Sequence, residues 1–481
     1  MTIGEQPDQR QIQVLAALQR YWGYSGFRSP QGEIIQCLLT GQDALVVMPT
    51  GGGKSLCFQL PALLQSGLTL IVSPLVALME NQVQELRDRR LAAASLHSEL
   101  PATQKRAVIQ AITRQKLRLL YLSPETLLSA SVWQHLAAPD IQINGLILDE
   151  AHCLAQWGDT FRPAYRRLGS VRSSLLKQKP PSSRIALAAF TATADPRTQK
   201  ILQDTLQLQN PQKFLLNPYR PNLQLQVRQA WTIHNRRQQL LQFIRRHPCQ
   251  SGLVYVRSRS DSEALSQWLT SQGFATAPYH AGLGGSQRRH LEQQWLEGKL
   301  QFVVCTSAFG MGINKPDVRW VAQWQAPLLL SEYIQEVGRA GRDGQPATAL
   351  TLTSAGWLDG YDRQSWQFLQ QKNQKTCQQA AQIISKLPQR GSISHVAEQY
   401  NTPGLIALSL LHSGNALTWL DPFTYERSPQ TPPWQKLAQE QQKIAQQTQK
   451  YLSSKQCRWQ FLIQAFGFPI PKACGHCDNC R

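Results

Sequence analysis

Met48-Pro-Thr-Gly-Gly-Gly-Lys-Ser55 follows the apolar run Ala44-Leu-Val-Val-Met48 and leads into a helix-like stretch from Ser55 to Leu64. A strand, a glycine-rich turn and a helix in that order form a phosphate cradle. Backbone N–H groups of Gly51, Gly52 and Gly53 can wrap a triphosphate, Lys54 neutralises its outer phosphates, and the Ser55 hydroxyl binds Mg²⁺. Thr50 belongs to the same loop, and Met48 stands where such loops usually begin with glycine. Almost a hundred residues on, Asp149-Glu-Ala-His152 follows a second apolar run, Leu146-Ile-Leu148. Its acids emerge at the carboxyl end of a strand, the edge at which open parallel sheets bind ligands. Asp149 is placed to hold the metal, and Glu150 to orient or deprotonate the attacking water. The two motifs together imply a nucleoside triphosphatase.

Similar runs extend the pattern outward. Leu68–Val72, Leu119–Leu122 and Ile185–Phe190 read as further buried parallel strands. After the proline-rich break Asn217-Pro-Tyr-Arg-Pro-Asn222 the alternation restarts with Leu253–Val256, Phe302–Cys305 and Trp320–Trp324. The expected fold is therefore α/β, with two tandem doubly wound lobes over residues 1–215 and 216–355. Residues 356–450 read as a helical linker: two short helices around Asn401-Thr-Pro-Gly404 and a hairpin within Ala416–Tyr425 suggest a winged helix, with a plain helical connector as the alternative. At 481 residues the chain is long enough for roughly three domains, each with its own core, and residues 451–481 form a last module with so few apolar residues that it needs a metal staple.

Lys+Arg exceed Asp+Glu by 50 − 30 = 20 charges, which favours a polyanionic partner through counterion release. The first twenty residues are polar and lack a basic-then-apolar leader pattern, and no apolar run is long enough to span a bilayer. A soluble, cytoplasmic, nucleoid-associated protein with no membrane partner is expected. Cys37, Cys57, Cys153, Cys249, Cys305 and Cys377 are scattered, as free thiols in a reducing compartment would be. Cys457, Cys474, Cys477 and Cys480 instead form two Cys-x-x-Cys steps that share Cys477, plus one upstream thiol. Four thiolates suit a structural Zn²⁺; an iron–sulfur cluster and free thiols are the alternatives.

These features resemble RecQ-type DNA helicases of superfamily two over roughly residues 15–350 and again over 455–481. Tyr24-x-x-Phe27-Arg28-x-x-Gln31 is similar to the family's adenine-recognition motif: Gln31 would pair with the base edge while Tyr24 or Arg28 stacks on its face. Ser73-Pro-Leu75 and Ser123-Pro-Glu125 resemble the loops that hold a DNA strand by its phosphates, so Ser73, Pro74 and Ser123 are implied contacts. Thr191-Ala-Thr-Ala194 resembles the motif that couples the lobes. In Gln335-Glu-Val-Gly-Arg-Ala-Gly-Arg-Asp343, Arg339 and Arg342 fall three apart on an expected helical turn and resemble arginine fingers.

Cys153–Pro163 is similar to the family's aromatic-rich loop, which gives Trp157, Phe161 and Arg162 to base stacking. Asp159 and Thr160 depart from the histidine and aspartate usual there. The order of cysteines around Cys457 and Cys474–Cys480 resembles the family's zinc module. The resemblance implies a 3′ to 5′ DNA helicase that uses ATP, Mg²⁺ and Zn²⁺ on single-stranded and forked duplex DNA, in repair or recombination. A translocase that moves without unwinding and an RNA-remodelling ATPase are the alternatives. In the family a winged helix follows the zinc module, whereas the candidate here precedes it.

Overall fold

Runs of apolar residues form parallel strands when a sheet is covered on both faces, and Ala44–Val47 (β1) is buried at all four positions. The computed structural model describes residues 9–49, 51–156, 162–309, 313, 315–354, 361–429, 434–469 and 472–481. The chain divides into two compact units: Met1–Leu216 with Gln379–Pro432, and Asn217–Gln378 with Pro433–Arg481.

In the first unit β1 joins Leu68–Val72 (β2), Ala93–Leu96 (β3), Leu119–Leu122 (β4), Ile143–Leu148 (β5), Ala186–Thr191 (β6) and Gln212–Leu215 (β7). The strand order is β3-β4-β2-β5-β6-β1-β7, with every pairing parallel. Alternate residues feed two cores, one with Leu45, Leu70 and Leu146, the other with Val46, Ile71 and Ile147. This order sets β6 between β5 and β1, so the ends of three adjacent strands carry both motifs that opened the sequence reading.

Residues 379–432 pack on this same unit. The helical stretch Ile393–Ser413 is broken at Asn401, where φ is +51, giving the two short helices expected around Pro403. Arg390–Ser392 is the first strand of an antiparallel sheet whose order places Thr424–Arg427 in the middle and Leu417–Trp419 on the far side. Helices with a three-stranded hairpin sheet make a winged-helix-like arrangement. The hairpin tip is turned by Asp421, whose carboxylate accepts the N–H groups of Phe423 and Thr424 at 2.7 and 2.8 Å. Phe423 stacks edge-on against Trp133, and Arg167 donates to the Pro422 carbonyl at 3.1 Å.

In the second unit Leu223–Ala230 (β8), Gly252–Tyr255 (β9), Thr276–Tyr279 (β10), Phe302–Cys305 (β11), Trp320–Gln323 (β12) and Ala347–Ser354 (β13) form an all-parallel sheet in the order β10-β11-β9-β12-β13-β8. β8 is an edge strand. The last module covers it: Trp459 Nε1 donates to Leu223 O at 3.0 Å, Asp478 N–H to Leu225 O at 3.1 Å, and Val227 N–H to Asp478 Oδ2 at 2.8 Å. Tyr451, Trp459, Leu462 and Cys477 share one core with Leu223, Leu225 and Leu253. A module with so few apolar residues thus completes the neighbouring sheet. Among the described residues no helix is long and apolar enough to cross a membrane.

Candidate functional site

Past β1 the chain turns into the helix Lys54–Leu64. Among the described residues no side chain caps its start, so its first N–H groups are left for an anion. Gly53 has φ +78, in the left-handed region. A Cβ at Gly52 would lie 2.7 Å from Met48 Cγ, so Met48, only 1% exposed, folds beneath that glycine. This packing is how methionine fits where such loops usually begin with glycine. Lys54 Nζ donates to Met48 O at 3.0 Å and curls over the loop. Ser55 is the second helical residue, whereas Thr50 lies outside the described residues.

Gln31 is buried against this loop. Its carboxamide nitrogen donates to Gly52 O at 2.9 Å, and its oxygen accepts the Arg28 N–H at 3.0 Å. The segment from Tyr24 to Gln31 is therefore joined to the phosphate loop by one amide, while Tyr24 is 56% exposed.

Asp149 follows β5, and its N–H donates to Val72 O at 2.9 Å, extending the ladder with β2. Burial, reinforced by the Glu150 charge and opposed by Lys54, pushes the Asp149 carboxyl up to about 7. Glu150 has φ +49 and donates its N–H to Asp149 Oδ1 at 3.0 Å. Its Oε2 is 3.2 Å from His152 Nδ1, which is 3.0 Å from Thr191 Oγ1. Burial alone would lower the His152 pKa, but Cys153 and the Glu150 carboxylate raise it to about 10. The Thr191 hydroxyl donates to Thr193 O at 3.1 Å and accepts the Thr193 N–H at 3.2 Å. A continuous polar chain thus runs from the acidic motif into Thr191–Ala194. The set offers a buried carboxylate for a divalent cation and a second acid, oriented by an imidazole, for moving a proton.

The implied DNA contacts are placed unevenly. Ser73 and Pro74 are buried, and the Ser73 N–H continues the sheet by donating to Leu122 O at 3.0 Å. Ser123 caps the short helix Pro124–Leu127, accepting the Thr126 N–H at 3.2 Å. Arg162 meets the same turn, 3.4 Å from Glu125 Oε2. Trp157 and Phe161, with Asp159 and Thr160, lie outside the described residues.

In the second unit the helix Leu330–Val337 ends at Gly338. Arg339 and Arg342 therefore sit on the turn that follows, not on a helical turn as expected: the N–H groups of Arg339 and Ala340 bond only three residues back, to Glu336 O at 3.3 Å and Val337 O at 3.2 Å, and Gly341 at φ +61 then turns the chain away. Arg339 is buried, and Arg342 Nη1 donates to Ile313 O at 3.3 Å. Spacing did not reveal the network behind them. Arg257 pairs with Glu336 at 2.7 Å, Gln323 donates to the same carboxylate at 2.6 Å, and the Thr351 hydroxyl donates to Gln323 Oε1 at 2.7 Å. An acid and an amide at positions that otherwise face the core were the available signal.

The four clustered thiols come together. Cys457, Cys474, Cys477 and Cys480 place all their Sγ atoms within 4.8 Å of one another. Sγ of Cys477 lies 3.4 Å from that of Cys480 and 4.0 Å from that of Cys457. A tetrahedral zinc with bonds of about 2.3 Å spaces its sulfurs about 3.8 Å apart, so the set fits one such ion and is too tight for a cube of iron and sulfide. The N–H groups of Cys474 and Arg458 point at Cys457 and Cys477 sulfurs, at 3.3 and 3.4 Å, as donors supporting thiolate charge.

Residues 28–202 match the DEAD/DEAH box helicase family, 235–344 the helicase conserved C-terminal domain, and 425–481 the RecQ zinc-binding family. Over 473 residues the chain is 51% identical to a protein of Synechocystis sp. named ATP-dependent DNA helicase RecQ, covering 96% of this chain and 97% of that one. It is 40% identical over 337 residues to the Haemophilus influenzae protein of the same name, covering 70% of this chain and 52% of the relative's length. Among solved structures, S. cerevisiae Dbp5 bound to RNA and ADP BeF3 aligns with a TM-score of 0.58 at 17% identity, over 73% of this chain and 88% of that one. At that identity the likeness speaks for the fold alone.

Proposed function

The chain belongs to the RecQ family of ATP-dependent DNA helicases, and from that membership we propose that it hydrolyses ATP to move 3′ to 5′ along one DNA strand and part the duplex ahead. One observation carries the reading: Lys54, Asp149, Glu150 and Thr191 converge at the carboxyl ends of the adjacent strands β5, β6 and β1. In that reading the loop Thr50–Ser55 cradles the triphosphate, with Lys54 on its outer oxygens. Ser55 and Asp149 hold Mg²⁺, and Glu150, steadied by His152, takes the proton of the attacking water. Arg339 and Arg342 stabilise charge on the phosphates, while Tyr24, Arg28 and Gln31 receive the base. Ser73, Pro74, Ser123, Trp157, Phe161 and Arg162 contact single-stranded DNA, the substrate being a tailed or forked duplex. Cys457, Cys474, Cys477 and Cys480 bind zinc, which stabilises the second unit.

The test pairs ATP turnover, with and without single-stranded DNA, with strand displacement on duplexes tailed at either end or forked. Displacement of 3′-tailed substrates is expected, with stimulated turnover. Lys54→Ala is expected to lose hydrolysis while still binding single-stranded DNA. Stimulated turnover without displacement would replace unwinding by translocation, and near-wild-type turnover in Lys54→Ala would overturn the loop assignment.

A further inference from the structure

Asn217-Pro-Tyr-Arg-Pro-Asn222 reads in sequence as a proline-rich break, and it opens the second unit. In the structure its last residues are committed to the turn that carries Arg339 and Arg342. The half-buried Arg220 guanidinium donates to Gly338 O at 3.1 Å and also to Gly341 O. Both carboxamide hydrogens of Asn222 are used, one on Gly341 O at 2.8 Å and one on Gln345 O at 2.7 Å. The Asn222 carbonyl in turn accepts the Ala347 N–H at 2.9 Å, at the start of β13. Pro221 separates the two gripping side chains and fixes the backbone between them.

The turn requires such a hold. A helix leaves its last carbonyls without internal partners, and here the helix stops at Val337. Two glycines in the next four positions give this backbone more freedom than any other residues would. Gly341 is held at φ +61, and a Cβ there would lie 2.6 Å from Asn222 Nδ2 and 2.8 Å from Gln345 O. The Gly341 N–H donates to Val318 O at 2.7 Å, and what grips the carbonyls of Gly338 and Gly341 fixes the other side of the turn from which Arg339 and Arg342 leave the backbone. Those grips come from side chains more than a hundred residues earlier in the chain.

We propose that Arg220 and Asn222 are positioning residues for the arginine pair, so that the segment opening the second unit also orients the groups that stabilise the phosphates. The proposal rests on the reading of Arg339 and Arg342 as phosphate-contacting arginines. The chain enters the second unit at Asn217, and a change in the backbone torsions of this opening segment reaches the arginine turn through four side-chain hydrogen bonds.

Asn222→Asp keeps the volume and replaces the donating NH2 group by a carboxylate oxygen that faces the carbonyl oxygens of Gly341 and Gln345. Single-stranded-DNA-stimulated ATP turnover is the readout, with the full-length, zinc-loaded protein. Since displacement of a reacting group by about 1 Å costs up to about a hundredfold, kcat should fall about ten- to a hundredfold while KM for ATP stays within about threefold. In an Arg342→Ala background the same substitution should lower kcat by clearly less than it does in the wild-type background, because only Arg339 is left to be oriented. Arg220→Lys, which retains charge but cannot bridge two carbonyls, should behave like Asn222→Asp, and it substitutes for it if that variant does not fold. Wild-type kcat in Arg342→Ala would sink the phosphate-contact reading itself. An impaired Arg342→Ala beside an unimpaired Asn222→Asp and Arg220→Lys would overturn the positioning proposal alone. So would a full multiplicative loss in the double variant.

Discussion

Glu150 holds a side chain on backbone that glycine adopts far more readily, at φ +49. Such a conformation costs on the order of 1–3 kcal/mol and persists only where surrounding bonds impose it. Here the bonds are the N–H to Asp149 Oδ1 and the approach of His152 to the carboxylate. In the proposed role of Glu150 the strain falls where proton transfer would need a fixed acid. Glu150→Gln keeps the shape and loses the base, so single-turnover hydrolysis should slow by about 10²–10⁴ while a fluorescent ATP analogue binds almost as before. Turnover within a few-fold of wild type would remove Glu150 from the base role. The members of this site were legible because each motif ends an apolar run, which puts its polar residues at a sheet edge. Its supports were not. His152 meets Thr191 across 39 residues and Arg257 meets Glu336 across 79, and no local spacing encodes such pairings.

Among elements, legibility followed side-chain chemistry. β2, β4 and β11 are almost wholly apolar and read directly as buried strands. β3 is Ala-Ala-Ser-Leu, and β13 interleaves threonine with alanine and leucine, so both are buried without a strong apolar signal. β8 alternates as Leu-Gln-Leu-Gln-Val, the pattern of a strand with unlike faces. In the winged-helix-like region the kink was legible from Asn401 and Pro403, but the docking of the hairpin tip against Trp133 was not. His412 makes this region sensitive to pH. Burial, with Arg166 nearby, lowers its pKa to about 3, and its Nδ1 has no hydrogen-bond partner among the described residues. Trp419 lies beside the ring at 5.9 Å. The folded state therefore keeps His412 neutral. Below the ordinary value of about 6.5 the unfolded chain takes up a proton that the folded chain refuses. The contribution is fully present above pH 6.5 and is lost as pH falls toward 3, by about 1–2 kcal/mol between pH 7 and pH 5. His412→Leu should flatten the fall in melting temperature over that interval; an unchanged slope would show that His412 does not titrate on unfolding.

At the scale of the whole molecule, the two lobes were legible from repeated strand runs, whereas the division into units was not, because residues 379–432 fold onto one lobe while both flanking stretches belong to the other. The zinc module is the sharpest case. Its ligands were legible from spacing, but its role as the cover of β8 depends on Trp459 and Asp478, whose partners lie over two hundred residues away. Arg458 ties the cover together, since its Nε donates to Asp478 Oδ1 at 2.9 Å and its Nη1 to Tyr451 O at 2.6 Å. Arg458 in turn adjoins Cys457, and Asp478 adjoins Cys477, so a zinc held by these thiols would fix the spacing of both anchors. Wild-type protein should carry one zinc per chain by elemental analysis. Removing it by a chelator, or weakening it by Cys477→Ser, should release Trp459 and Asp478 and leave the Leu225 carbonyl and Val227 N–H of β8 unpaired. An unpaired strand edge invites association with other chains. Structural zinc supplies on the order of 10 kcal/mol to small modules at neutral pH, far more than the packing of so few apolar residues can replace. Limited proteolysis after chelation should therefore open new cleavage sites between residues 223 and 354, with aggregation at higher concentration. Residues 44–216 have their own two cores and should stay protected, the more so with ADP bound. ADP affinity should persist while DNA-stimulated turnover is lost, because Arg339 and Arg342 depend on the second unit. Unchanged protection of residues 223–354 in the zinc-free protein would mean that β8 holds without its cover, and that the metal stabilises only the last thirty residues.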